Sequence, residues 1–255
     1  MPDAWNPAQY DRFKAERAQP FHDLLALCAP IPGGRAVDLG CGTGELTALL
    51  HARLAARETL GLDSSGSMLA KARPAPGLRF ERGDIASFEG GPFELVFSNA
   101  ALQWLPDHRA LIPRVAALVA PGGQLAVQVP ANHDHPSHLL AHALAGEPPF
   151  REALGGYVRE APVLAVERYA ELLFGLGFVE QQVRLQIYGH VLAGREEVVE
   201  WVRGTLLTDY QKRLSPDLFE RYVEIYRERL TGALPDARPY FYAFKRILFW
   251  ARRGA

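Results

Sequence analysis

Apolar positions in this chain come in short buried runs, separated by stretches with helical spacing. Val37-Asp38-Leu39 reads as a strand, and residues 59–62, 78–82, 93–97 and 124–129 read as four more. Residues 45–54 and 67–72 fit helices between them, so residues 33–129 alternate strand and helix, the signature of a parallel sheet with helices on its faces. A helix is expected around residues 19–28 of the N-terminal segment. Residues 130–162 are rich in His, Pro and Gly and read as an irregular insertion. Residues 163–176 suit a helix ending at Gly177. Residues 178–192 alternate in part (Val179, Val183, Leu185, Ile187) and suit a strand. Two amphipathic helices, 195–207 and 216–230, precede a last β-prone run, 240–252.

Composition narrows the class. The 255 residues allow one large α/β domain, or one with an added cap. At 48% hydrophobic and 22% charged the chain is ordinary for a globular protein, and a net charge of −1 gives no general attraction to nucleic acid. Cys28 and Cys41 are too few for a disulfide framework, so a reducing, cytoplasmic setting is expected. The N-terminal region is polar and aromatic, without the apolar core of a signal peptide. No stretch approaches the roughly 18 apolar residues of a membrane span.

The chemistry begins at Gly40-Cys41-Gly42-Thr43-Gly44, between the first strand and its helix. Such a loop lets a nucleotide-bearing cofactor lie against backbone. A dinucleotide fingerprint would close on a glycine where this chain has Glu45. Glu45 near the helix N-terminus would repel a pyrophosphate, and Asp38 precedes the loop. These carboxylates suit a ligand carrying an amine and a sulfonium. Asp63 ends the second strand about 20 residues on, where an acid commonly takes ribose hydroxyls. Ser64 or Ser65 can cap the following helix, which leaves Asp63 for a ligand.

At this point the chain resembles the class I S-adenosylmethionine-dependent methyltransferases, in which an acidic residue and G-x-G-x-G follow a hydrophobic strand. The resemblance implies a Rossmann-like seven-stranded α/β sheet with helical cap insertions, closed by an antiparallel strand pair that 178–192 and 240–252 would supply. It implies S-adenosylmethionine held by Asp38, Gly40, Gly42, Gly44, Asp63 and Ser64. Asp84 is implied at the adenine amino group, Ile85 on the ring, and Asn99 at the strand end that faces the methyl group. Trp5-Asn6-Pro7, Tyr10, Phe13, the run 17–21, the run 98–108, Ala126-Val127-Gln128-Val129-Pro130, Pro136-Ser137-His138 and the closing 241–248 are similar to the trans-aconitate methyltransferase family. That likeness spans residues 1–255 as one methyltransferase domain: a cofactor core at 33–130 and candidate cap insertions at 131–161 and 193–238. Members of this family esterify one carboxylate of trans-aconitate.

A carboxylate acceptor is ionised at pH 7, with a pKa near ~4, and needs no general base. No catalytic acid or base is therefore expected; Gln103 and Trp104 are expected to position the acceptor. A polycarboxylate does require cationic or hydrogen-bonding clamps. Arg17, Gln103, Trp104, Gln128, His190, Tyr240 and Arg246 are the candidates, with Lys245 and Tyr188 beside them. Lys245 and Arg246 are adjacent in a strand and point to opposite faces, so at most one faces the acceptor. Trp5, Tyr10 and Phe13 are expected to fold over the cofactor as a lid. His138 and His142, four apart, could pair on a metal, but no H-E-x-x-H base accompanies them and no metal is expected. The expected partner is a small carboxylate substrate, with neither nucleic acid nor membrane. The alternatives are a methyltransferase for another small molecule by O-, N- or C-methylation, a non-catalytic S-adenosylmethionine-binding module, and a nicotinamide oxidoreductase, which Glu45 disfavours.

Overall fold

The computed structural model describes the backbone of residues 14–255 and side chains from Ala18 onward. Trp5, Tyr10, Phe13 and the side chain of Arg17 lie outside the described residues. Helix α1 (Lys14–Leu25) leads into β1 (Arg35–Leu39), α2 (Glu45–Leu54), β2 (Glu58–Asp63), the short α3 (Gly66–Leu69), β3 (Leu78–Arg82) and β4 (Phe93–Asn99). A 3-10 turn (Leu102–Trp104), α4 (His108–Ala117), β5 (Val119–Pro130), α5 (Pro136–Ala145), α6 (Phe150–Ala153), α7 (Val166–Gly175) and β6 (Phe178–Leu192) follow. The chain ends with α8 (Glu197–Arg203), α9 (Thr208–Gln211), α10 (Pro216–Ala233) and β7 (Tyr240–Arg253).

The seven strands form one sheet in the order β3-β2-β1-β4-β5-β7-β6. β1 pairs in parallel with β2 and β4, β2 with β3, and β4 with β5. The carboxyl ends of these five strands therefore share one edge, where open α/β sheets bind ligands. β7 runs antiparallel to β5, from Gln124↔Arg252 to Pro130↔Arg246.

The chain divides into two compact units. One comprises Arg17–Pro130, Pro162–Gln186 and Arg246–Ala255. Its central strands are buried on both faces: Val37, Leu39, Leu95, Val96 and Phe97 are fully enclosed. Phe21 of α1 meets Phe97 edge to face at 5.4 Å, and Tyr169 of α7 stacks on Phe249 at 4.8 Å. The other unit takes in Ala131–Ala161 and Ile187–Lys245. Its core is a cluster that includes Leu144, Phe150, Trp201, Tyr210, Tyr222, Tyr226 and Tyr242.

Several sequence expectations need correction. Residues 130–162 are irregular only in part: Pro136 opens α5 from its first helical position, Ala141, Leu144 and Ala145 turn inward, and Phe150–Ala153 form α6. The helix expected at 67–72 is only Gly66–Leu69. The helix expected at 195–207 is only Glu197–Arg203, with Gly204 as its C-cap, and α9 starts after that span at Thr208. Among the described residues, no helix is long and apolar enough to cross a membrane.

Candidate active site

The loop after β1 is shaped by glycine. Gly40, Gly42 and Gly44 have φ of 84°, 57° and 74°, a region that costs other residues about 1–2 kcal/mol. A Cβ on Gly40 would come within 2.1 Å of Ala101 Cβ, and one on Gly44 within 2.5 Å of the Phe80 ring. The loop is fixed to β2: the N–H groups of Gly40 and Cys41 donate to the Leu62 carbonyl at 2.8 and 3.0 Å. Gly42 N–H donates to Asp63 Oδ2, and Ser65 N–H to Asp63 Oδ1, both at 2.8 Å. Asp63 thus braces the loop, and each oxygen keeps a second lone pair for a ligand hydroxyl. Ser65 Oγ caps α3 by accepting from Met68 N–H, while Ser64 is exposed and its carbonyl accepts from Arg82.

Asp38 is only 4% exposed, and its Oδ2 accepts from the Thr47 hydroxyl at 2.7 Å. Burial pushes its carboxyl up to about 7; the Thr47 bond opposes this, and the nearby Asp63 charge adds to it. The sequence marks Thr47 only as a hydroxyl on the buried stripe it shares with Leu50 and Leu54. Glu45 stands exposed in the first turn of α2. Ile85 Cδ1 lies 3.8 Å from the Cβ position of Gly40. Asp84 is exposed, with Oδ1 accepting from Ala86 N–H at 2.9 Å. A buried carboxylate, an acid with spare acceptors and a cradle that Cβ atoms would fill together fit a cofactor with an ammonium, ribose hydroxyls and no phosphate.

A second group occupies the same edge one strand over. Asn99 at the end of β4 is in register with Gln128 of β5. Arg246 of β7 lies opposite Pro130, diagonal to Gln128, and its Nη1 donates to Gln128 Oε1 at 3.4 Å. Gln128 is fully enclosed and Arg246 is 5% exposed. Asn99 Oδ1 and Gln128 Nε2 are buried without partners among the described residues. Gln103 Nε2 donates to the Ala100 carbonyl at 2.7 Å, its buried Oε1 has no such partner, and Trp104 is 38% exposed. The turn carrying Gln103 and Trp104 is held by the buried His108, which bonds the Leu102 carbonyl at 3.0 Å through Nε2 and Tyr169 through Nδ1. Lys245 turns away from Arg246 and pairs with Asp134.

His190 and Tyr240 belong to the other unit. His190 stacks on Trp201 with centroids 4.4 Å apart, and Tyr240 is buried in the aromatic cluster, which raises its hydroxyl pKa. Tyr188 is buried as well.

Residues 36–123 match the "Methyltransferase domain" family. The trans-aconitate 2-methyltransferase of Deinococcus radiodurans is 49% identical, with 98% of each chain covered. That of Variovorax paradoxus is 43% identical over 98% of this chain and 99% of its own. Among solved structures, the YcgJ protein of Bacillus subtilis superposes with a TM-score of 0.63 at 15% identity, covering 93% of this chain and 99% of that one. Haemonchus contortus phosphoethanolamine N-methyltransferase 2, solved with S-adenosyl-L-methionine, superposes with a TM-score of 0.54 at 18% identity, covering 93% of this chain and 53% of that one. With relatives this similar along its whole length, the chain belongs to the trans-aconitate 2-methyltransferase family and is an S-adenosylmethionine-dependent methyltransferase.

Proposed function

We propose that the chain methylates one carboxylate of a small polycarboxylic acid, trans-aconitate first, to give a monomethyl ester. The observation that carries this is the buried Arg246 guanidinium beside Gln128 and Asn99 at the carboxyl ends of β4 and β5. A guanidinium in that place can take one carboxylate of such an acceptor in a forked pair. The name shared by the relatives, which match through both insertions, supports the same reading.

S-adenosylmethionine, when bound, supplies an electrophilic methyl group on a sulfonium. Asp38 neutralises the ammonium of its amino-acid end, Asp63 accepts from ribose hydroxyls, and Asp84 and Ile85 hold the adenine. Arg246 and Gln128 hold and orient the acceptor, with Gln103 and Trp104 closing over it. The acceptor arrives ionised, so no residue has to remove a proton. The task of the chain is alignment and exclusion of water, worth several kcal/mol of barrier (about 7–11 at best). Residues 33–130 serve the cofactor. The proposed setting is the cytoplasm, in keeping with two buried free thiols.

Incubation with labelled S-adenosylmethionine and a panel of di- and tricarboxylic acids tests the proposal. Transfer to trans-aconitate as a base-labile ester is expected, and R246Q raises KM for it about 10–100-fold. Transfer to a neutral phenol or amine, with none to any acid, overturns the acceptor assignment and leaves the methyltransferase intact.

A further inference from the structure

We infer that Gln103, together with Asn99, receives the sulfonium methyl group of S-adenosylmethionine and lets the protein distinguish that cofactor from its demethylated product. Around the ends of β4 and β5, three polar atoms are buried without partners among the described residues: Asn99 Oδ1, Gln103 Oε1 and Gln128 Nε2. Buried polar atoms are costly unless something pairs with them. These three divide by chemistry. Gln128 Oε1 accepts from Arg246, so its Nε2 is a donor and suits an ionised acid. Gln103 Nε2 donates to the Ala100 carbonyl at 2.7 Å, which leaves Oε1 as a pure acceptor. That orientation is built in. Ala100 has φ of 54°, a region that residues other than glycine avoid, and its N–H donates to the Gln128 carbonyl at 2.9 Å. Backbone held in such a conformation is characteristic of functional sites. The next residue packs on the glycine loop: a Cβ on Gly40 would lie 2.1 Å from Ala101 Cβ. The turn that carries Gln103 therefore adjoins the loop assigned to the cofactor.

Polarity selects the ligand. An ionised carboxylate has no donor to offer Asn99 Oδ1 or Gln103 Oε1, a step that rests on the acceptor proposed above. The cofactor brings two electropositive groups, its ammonium and its methylated sulfonium. Asp38 matches the ammonium, which leaves the methyl group, whose polarised C–H bonds suit neutral carbonyl oxygens. During transfer a carboxylate oxygen bonds to the methyl carbon, the C–S bond breaks, and its electron pair stays on sulfur. The product is a neutral thioether with no polarised methyl group for these oxygens. The same contact thus favours the methyl donor over the spent cofactor.

Calorimetric titration in the absence of any acid tests this, using S-adenosylmethionine, S-adenosylhomocysteine and sinefungin, which carries an aminated carbon in place of the methylated sulfur. Q103M matches the size of the side chain and removes the acceptor. It should lower the preference for S-adenosylmethionine over S-adenosylhomocysteine about 3–10-fold and weaken sinefungin about 10-fold. Affinity for S-adenosylhomocysteine should hold within about two-fold, which also shows that the variant is folded. Q103E keeps an acceptor oxygen and should retain the preference. Equal weakening of all three ligands would give Gln103 to the cofactor's ammonium or to the framework, and unchanged affinity for all three would give it to the acid alone; either overturns the inference. Loss of the preference in Q103M, in a protein that methylates no acid, would sink the proposed acceptor and leave this assignment standing.

Discussion

A carboxyl group as enclosed as Asp38 does not stay charged without a reason. Its folded-state pKa of about 7 lies above the ordinary 3.8, so the folded chain holds a proton that the unfolded chain releases between those values. Its contribution to stability is therefore full below about pH 4 and is lost as pH rises through about 7. His138 slopes the other way: held at about 3 against an ordinary 6.5, it costs stability as pH falls through that window. The difference between wild type and D38N isolates the first effect. Without cofactor, the Asn variant should gain on wild type by roughly several degrees in Tm between pH 5 and pH 8. S-adenosylhomocysteine reverses the ranking, because its ammonium favours the ionised carboxylate. Wild-type affinity should climb with pH up to about 7, while that of D38N stays flat and weak, as titration at three pH values will show. A pH-independent wild-type affinity would remove Asp38 from the cofactor's amino end. The importance of this acid was legible from its place before the glycines. The hydroxyl that holds it was not, because Thr47 is joined to Asp38 by the packing of α2 on β1 and by no local spacing.

At the scale of elements, the glycine loop is a steric fit between two strand ends. Gly40→Ala forces a Cβ against Ala101 Cβ, an atom that cannot rotate away. Gly42→Ala meets only the end of the flexible Met68 side chain, at 3.4 Å. G40A should therefore cost about 2–4 kcal/mol and G42A about 1, read from urea denaturation. Removing the opposing methyl in G40A/A101G should recover most of the clash and leave the cost of the backbone conformation. Equal losses for G40A and G42A would mean that the close approach to Ala101 is not rigid. Elements with strong local punctuation were legible in this way. Gly177, at φ 81°, separates α7 from β6, and both bounds of β6 follow from alternation. Alternation did not say which face is buried: Val179, Leu185 and Ile187 are exposed, and Tyr188, His190 and Leu192 turn inward. Helix α5 is hidden in the sequence because its His, Pro and Gly neighbours favour loops, although Pro136 sits where a helix tolerates it best.

For the molecule as a whole, contiguity along the chain separates what the sequence could say from what it could not. Cofactor recognition, as proposed, is written in one contiguous run, from Asp38 to Asn99, at the ends of neighbouring parallel strands. Acceptor recognition, as proposed, draws on residues as distant as Gln128 and Arg246, brought together by the β5–β7 register. Spacing along the chain cannot reveal such a pair; the similarity of the chain ends to a family pointed to it. Ligand-linked stabilisation should respect the same division. At 100 times its Kd, S-adenosylhomocysteine adds about 2.7 kcal/mol to the folded state. Hydrogen exchange should show that gain as slowed exchange in residues 38–45, 62–69 and 83–86. These segments carry the loop, the Asp63 turn and the Asp84–Ile85 pair. The amides of Gly40, Cys41, Gly42 and Ser65 already donate to Leu62 or Asp63, so their slowing reports suppressed opening and not new bonds to the ligand. Helix α10, buried through Tyr222, Tyr226 and Leu230 in the other unit, should exchange as before. Adding trans-aconitate to that complex should then slow residues 98–104 and 245–248. Protection of 38–45 by trans-aconitate alone would show that the two recognition tasks are not divided as the strand register implies.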